Sequence, residues 1–219
     1  MNLIYNGPTQ GPLFVFAHGA GAPANADFME IIAIGLALRG IRVARFNFAY
    51  MQQRIDKGTR RPPERAEKLV VQFEQLIAEL DQPMVIGGKS MGGRIASLLA
   101  AGPADDNVKG VVCLGYPFHP VGKPEKLRTA HLPLIKQKVL IIQGERDKLG
   151  TQEEVQSYGL TKEIQWLWLE DGDHDLKPRV KSGFTHQAHL QKALDKMALF
   201  IICALDRKTT EQNALNKPA

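Results

Sequence analysis

The stretch Val85-Ile86-Gly87-Gly88-Lys89-Ser90-Met91-Gly92-Gly93-Arg94 ends an apolar run in G-x-S-x-G and opens at once into a segment suited to a helix. A serine on such a sharp strand-to-helix turn is held out at the carboxyl edge of a sheet. Gly88 and Gly92 leave no side chain where the turn brings backbones together. The helix start aims unpaired N–H groups and its positive dipole end at whatever Ser90 attacks. An alcohol is a poor nucleophile at neutral pH, so Ser90 needs a base within hydrogen-bond reach and an acid that fixes the base's tautomer. In this architecture the chain order is Ser, then Asp or Glu, then His. Downstream, residues 139–143 run into Gly144-Glu145-Arg146-Asp147, and residues 166–169 run into Glu170-Asp171-Gly172-Asp173-His174-Asp175. Asp147 and His174 therefore both stand just past strand-like runs, in the required order. Singly, each has an ordinary reading as a turn or cap residue or a solvated loop histidine. Together in this order they point to a triad.

Glu145 is the first rival for the acid. Asp171, Asp173 and Asp175 are weaker rivals, being too close in sequence to His174 to orient its ring from behind. An oxyanion forming on an attacked carbonyl needs two preorganised N–H donors, one from the residue after the nucleophile and one from the loop after an earlier strand. Met91 supplies the first. His18-Gly19-Ala20-Gly21 has the form of the second loop, with Ala20 the first choice and Gly21 or Gly19 as alternatives. His18, Tyr50, Tyr116 and His119 follow strand-like runs and are expected to line the substrate pocket. His186 and His189 are spaced for one helix face but lack a third ligand nearby, so they read as surface or packing residues and no metal site is expected. The loop from Tyr50 to Arg61 carries Arg54, Lys57, Arg60 and Arg61 against the single acid Asp56, and Lys89 adjoins the nucleophile. These charges suit an anionic acyl substrate, although exposed charge is the ordinary state of Lys and Arg.

Two other readings of glycine-rich stretches compete. A phosphate-binding P-loop ends in Gly-Lys-Ser, as Gly88-Lys89-Ser90 does, but Pro83 stands where its first glycine belongs. Gly19-Ala20-Gly21-Ala22-Pro23-Ala24 fits the loose dinucleotide form, yet the next strand ends Arg45-Phe46-Asn47 without the ribose-binding acid.

The elements that must hold these residues alternate. Apolar runs predict strands near residues 2–5, 13–17, 41–48, 84–87, 108–114, 139–143 and 164–169, while helical periodicity covers 25–38, 64–80, 91–101, 152–158 and 186–205. Residues 49–63, rich in Arg, Gln and Pro, read as a loop, and 116–120 start an irregular crossover. Strands alternating with helices predict a mainly parallel sheet covered on both faces, with ligands bound beyond the carboxyl ends of the strands.

The 219 residues, 44% hydrophobic and 23% charged, suffice for one core, so a single domain over 1–205 with a polar tail over 206–219 is expected. The net charge of +5 is spread along the chain rather than gathered into a stripe, which argues against a nucleic-acid surface. Cys113 and Cys203 sit in apolar runs without paired spacing and read as buried thiols. No apolar run is long enough to span a bilayer and the N-terminus lacks a signal-type segment, so the chain is expected to be cytoplasmic and unexported. Its oligomeric state is left open.

Taken together the residues resemble the α/β-hydrolase superfamily in its compact, dienelactone-hydrolase-like form. More narrowly, the chain resembles the predicted-hydrolase family that includes the testis-expressed and chromatin-complex hydrolase-like proteins of animals. That narrower likeness rests on His18-Gly19-Ala20-Gly21-Ala22, Arg45-Phe46-Asn47-Phe48-Ala49-Tyr50-Met51 with Arg61-Pro62-Pro63, Gly88 to Arg94, Gly115-Tyr116-Pro117-Phe118-His119-Pro120, and Gly172-Asp173-His174-Asp175. Ala49 departs from the pattern, where proline is expected. The resemblance implies the α/β-hydrolase fold without a large lid domain, and triad roles for Ser90, Asp147 and His174. It implies no substrate. The expected reaction is hydrolysis of an ester-like bond without cofactor, with a carboxylesterase first and a thioesterase or small-amide hydrolase after it. An interaction subunit keeping the fold, or a nicotinamide-binding protein, are the rival classes.

Overall fold

The computed structural model of the chain describes residues 1–59, 61–103 and 106–206. Among these, β1 (Leu3–Asn6), β2 (Leu13–Ala17), β3 (Arg42–Phe46), β4 (Met84–Lys89), β5 (Val108–Leu114), β6 (Lys138–Gly144) and β7 (Ile164–Leu169) form one sheet in the order β1-β3-β2-β4-β5-β6-β7. β1 runs antiparallel to β3 at the edge, and every other pairing is parallel. The central strands read as continuous apolar runs because helices cover both of their faces, and β2 and β4 are buried along their whole length.

One face carries α3 (Ala66–Leu80) and α4 (Met91–Ala100), whose Leu69, Phe73, Leu76, Ile95 and Leu99 meet Val15, Ile86 and Val111. The other carries α1 (Asp27–Ala37) and α6 (His186–Leu205), whose Ile32, Leu36, Leu194 and Ile201 meet Phe14, Val85 and Val112. Each such side chain contributes about 1.5–3 kcal/mol of burial free energy. A short α5 (Gln152–Ser157) starts with a reciprocal cap between Thr151 and Glu154.

The expected loop over 49–63 is in part a helix, α2 (Ala49–Lys57). Its residues are good helix formers, and Gln52 donates to Asp56 one turn on at 2.9 Å. Only Tyr50 and Met51 are buried, so the apolar period that betrays a helix is missing. Cys113 is buried as expected, but Cys203 lies on the exposed side of α6. Among the described residues no helix is long and apolar enough to cross a membrane.

Parallel register places Ala17 beside both Phe46 and Gly88, and Lys89 beside Leu114. The loops leaving β2, β4, β5, β6 and β7 therefore emerge along one edge, and the candidate residues stand on them.

Candidate active site

Ser90 is the single residue between β4 and α4, at φ 52° and ψ −115°, a conformation a serine adopts only when its surroundings hold it there. Its N–H donates to Leu114 O at 2.8 Å, and its carbonyl accepts from Arg94 N at 3.1 Å as the helix begins. The backbone crossing is too tight for side chains. A Cβ on Gly88 would lie 2.4 Å from the carbonyl carbon of Gly92, and one on Gly92 would lie 2.4 Å from Ala17 O.

His174, on the loop after β7, places Nε2 2.9 Å from Ser90 Oγ and Nδ1 2.7 Å from Asp147 Oδ2. Asp147, just past β6, is fully buried. Its second oxygen accepts from Leu149 N at 2.9 Å, while Oδ2 also accepts from Gln143 Nε2 at 2.9 Å. With Asp147 accepting at Nδ1, the imidazole carries its proton there and turns a lone pair on Nε2 toward the serine.

The rival acids have other work. Glu145 Oε2 accepts from Asp171 N at 3.0 Å, Asp171 pairs with Arg179 and Arg146, and Asp173 Oδ1 accepts from the N–H groups of Asp175 and Lys177. These contacts fold the loop that presents His174. Arg146 joins in, donating to Asp171 O at 2.6 Å and Lys177 O at 2.9 Å. From beneath, the buried Lys89 ammonium donates to His174 O, lies 3.2 Å from Asp175 Oδ1, and sits over the Phe28 ring. Burial lowers the Lys89 pKa, and the nearby Asp175 carboxylate opposes that shift.

The four side chains expected to line the pocket stand behind its wall instead. His18 has no exposed surface; Nδ1–H donates to Gly19 O at 2.6 Å and Nε2 accepts from Phe48 N at 3.1 Å. Burial drops its pKa to about 4, so the ring is neutral. The Tyr50 hydroxyl donates to Ala20 O at 3.0 Å, which fixes the glycine-rich loop. The Tyr116 hydroxyl donates to Arg128 O at 2.8 Å, and burial pushes its pKa up. His119 is buried with Nδ1 2.9 Å from Pro120 O and Nε2 3.5 Å from Glu154. A position after a strand puts a residue near this edge without saying which way it turns.

Of the oxyanion candidates, Met91 is the first residue of α4, where the helix pattern leaves the N–H without an intrahelical partner. Ala20 lines the same hollow as Met91, with its carbonyl turned to Tyr50 and 3.5 Å from Arg54 Nη1. Of the basic loop, Arg61 donates to Gln53 at 3.1 Å, and Arg60 lies outside the described residues. His186 Nε2 lies 3.0 Å from Asp175 O and His189 Nδ1 2.9 Å from Leu176 O.

Gln143 is the residue that sequence reasoning missed. It is fully buried, accepts from Tyr116 N at 2.6 Å, and donates to Asp147. The signal was a lone amide closing an apolar strand, since a buried polar group must be satisfied by something specific.

Two hollows meet at Ser90 and Ala20. One, of about 280 Å³, is lined by Leu69, Met91, Arg94, Pro117 and Arg128 among others. The second, of about 260 Å³, runs past Gly21, Phe28, Met29, Lys89 and His174.

Residues 10–202 match the family model described as an alpha/beta hydrolase domain. The chain belongs to the alpha/beta hydrolase family. Solved structures share the fold of this hydrolase. An alpha-beta serine hydrolase homologue from Coxiella burnetii is 14% identical, with a TM-score of 0.63 over 93% of this chain and 91% of that one. Est1E from Butyrivibrio proteoclasticus is 13% identical, with a TM-score of 0.67 over 92% and 94%. Dienelactone hydrolase from Anabaena variabilis is 19% identical, with a TM-score of 0.64 over 88% and 89%. At these identities the likeness shows the fold, which in this hydrolase is a mainly parallel sheet, with no lid domain among the described residues.

Proposed function

We propose that this alpha/beta hydrolase is a serine hydrolase cleaving an ester-like bond, with Ser90 as nucleophile, His174 as general base and acid, and Asp147 orienting His174. The observation that carries the reading is the unbroken hydrogen-bond chain from Ser90 Oγ through His174 to the buried Asp147. His174 Nε2 takes the hydroxyl proton as Oγ bonds to the carbonyl carbon, and the carbonyl electron pair moves onto oxygen. The N–H groups of Met91 and Ala20 stabilise that oxyanion. Collapse of the tetrahedral adduct breaks the bond to the leaving alcohol, which receives the proton from His174. Water then attacks the acyl-serine with His174 again as base, releasing the acid and restoring Ser90. All of these steps use groups of this chain, and a carboxylesterase reaction is the first choice, followed by thioester and small-amide cleavage. The narrower kinship with the testis-expressed and chromatin-complex hydrolase-like family belongs to the same reading and rests on the five ordered motifs.

The test is hydrolysis of 4-nitrophenyl butyrate by wild type, Ser90→Ala and His174→Ala. Both variants should fold with unchanged circular dichroism and lose at least about 10⁴-fold in kcat. Ser90→Ala activity within tenfold of wild type would remove Ser90 from the proposed role.

A further inference from the structure

The hollow on the α4 side of Ser90 has two arginines, Arg94 and Arg128, in its lining. Arg94 stands one helical turn past the nucleophile on α4, and Arg128 lies on the crossover between β5 and β6. Both are half-buried. Arg94 Nε is enclosed without a hydrogen-bond partner, and among the described residues neither guanidinium forms an ion pair or a side-chain hydrogen bond. Among the described residues the other arginines that are not exposed have contacts of their own: Arg39 pairs with Asp195, the buried Arg45 donates to Ala24 O and Asn6, Arg146 meets Asp171, Arg54 Nη1 reaches Ala20 O at 3.5 Å, and Arg42 lies over the Tyr5 ring.

Among the described residues the groups around the pair form no salt bridge with it. Burial lowers the pKa of Arg128, and the charge of Arg94 lowers it further, so the two cations feel each other. His131, which sits behind them with Nε2 2.8 Å from Ser97 Oγ, is kept neutral by a pKa brought down to about 4, first by burial and then by Arg94. Tyr116 spends its proton on the Arg128 carbonyl. Glu64, the acid that lines the same hollow, has its carboxylate accepting from Gln72 at 2.7 Å and forms no salt bridge with either arginine. Holding two cations in one cleft without a salt-bridge partner is costly, and an anionic ligand would offset that cost.

We infer that Arg94 and Arg128 form an oxyanion-binding subsite, so that the ester cleaved at Ser90 bears a carboxylate or phosphate on the part lying in this hollow. Each guanidinium presents a planar fork that matches such an anion through paired hydrogen bonds. Apolar Leu69, Ile95, Pro117 and Leu149 line the same hollow and suit a short methylene linker between that anion and the reacting carbonyl. This deepens the serine-hydrolase reading and rests on it for the reaction, but the binding itself does not.

Binding is therefore measured first, by titration calorimetry of glutarate and of inorganic phosphate into wild type, Arg94→Gln, Arg128→Gln and the double variant. Saturable binding of one or both anions, weakened at least tenfold in each single variant, is expected; the stronger of the two identifies the anion class. Arg128→Met serves as a second neutral variant should Arg128→Gln fold poorly. Next, kcat/KM is compared for 4-nitrophenyl butyrate and the mono-4-nitrophenyl ester of glutaric acid, and read as a ratio so that general losses of activity cancel. Wild type should favour the anionic ester at least tenfold, with the ratio falling toward one in the double variant. No binding of either anion, or binding and preference that survive the double substitution, overturns the subsite. If the anions bind through both arginines while neither ester is cleaved, the subsite holds and the serine-hydrolase reading fails.

Discussion

Replacing Gln143 by leucine keeps the volume of a side chain that has no exposed surface, and removes the amide that holds Asp147 from below. Two costs follow. Asp147 Oδ2 loses the donor at 2.9 Å, a hydrogen bond to a charged group and therefore about 1.5–3 kcal/mol. The Tyr116 N–H, which reaches Gln143 Oε1 at 2.6 Å, is left buried without a partner, at about 1–3 kcal/mol. Allowing for a small gain from the apolar side chain, the variant should be destabilised by about 3–4 kcal/mol. In a chain of 219 residues, each kcal/mol is about 2–4 °C in Tm, so a fall of about 10 °C is expected. The same slackening of Asp147 should misorient His174 and lower kcat on 4-nitrophenyl butyrate about 10–100-fold, with KM within about threefold, since a barrier rise of about 1.4 kcal/mol is tenfold. Gln143→Glu separates the two roles. It can still accept from Tyr116 but offers Asp147 an acceptor in place of a donor, so kcat should fall at least as far as in Gln143→Leu while the Tyr116 N–H keeps its partner. Thermal unfolding and steady-state kinetics decide. A Tm within 2 °C of wild type together with kcat within threefold would refute the claim that this amide supports Asp147.

Asp147→Asn should lower kcat about 10⁴-fold by misplacing the imidazole proton, the size of effect seen for the same change in a serine protease. Glu145→Gln should leave kcat within a few-fold while lowering Tm, because its carboxylate holds Asp171 N rather than His174; the reverse ranking in a kinetic assay would transfer the acid's role to Glu145. Lys89→Met should loosen the His174 loop, whose carbonyl the ammonium holds, and lower kcat about tenfold with KM little changed; unchanged kcat would show the loop stands without it. His18 titrates near 4 when folded and near 6.5 when unfolded, so above pH 6.5 the two states bind protons equally. From pH 6.5 down to 4 the unfolded chain takes up a proton that the folded one refuses, and stability falls by about 3 kcal/mol over that window. His131, whose pKa is also brought down to about 4, adds a like slope, so His18→Gln should remove about half of the fall measured by urea unfolding, and an unchanged slope would show that His18 is not a source of it.

Ser90, Asp147 and His174 were legible because each follows an apolar run, and runs buried on both faces are the plainest strand signal in a parallel sheet. Once the strands are parallel, their carboxyl ends coincide, and residues 84 positions apart in sequence meet at 2.9 Å. Facing is another matter. His18, Tyr50, Tyr116 and His119 also flank the site in sequence, but each turns inward because a backbone group waits there to be satisfied: Phe48 N for His18, Ala20 O for Tyr50, Arg128 O for Tyr116 and Pro120 O for His119. Such pairings join loops whose approach no periodicity describes. α2 escaped for a related reason, being held at one end by Tyr50 and Met51 with polar helix formers elsewhere. The arginine pair was overlooked because the dense basic run between Arg54 and Arg61 drew the charge argument, whereas Arg94 and Arg128 are isolated in sequence and meet only through the cleft.

The central claim is that Ser90 is an activated nucleophile, and covalent labelling tests it most directly. Wild-type protein incubated with a fluorophosphonate should gain the mass of one phosphonyl group, and peptide mapping should place it on Ser90, because that reagent consumes a serine only where a base removes its proton. His174→Ala should label far more slowly and Ser90→Ala not at all. A wild-type chain that stays unlabelled under conditions that saturate a known serine esterase, or that carries the label on another residue, would contradict the account.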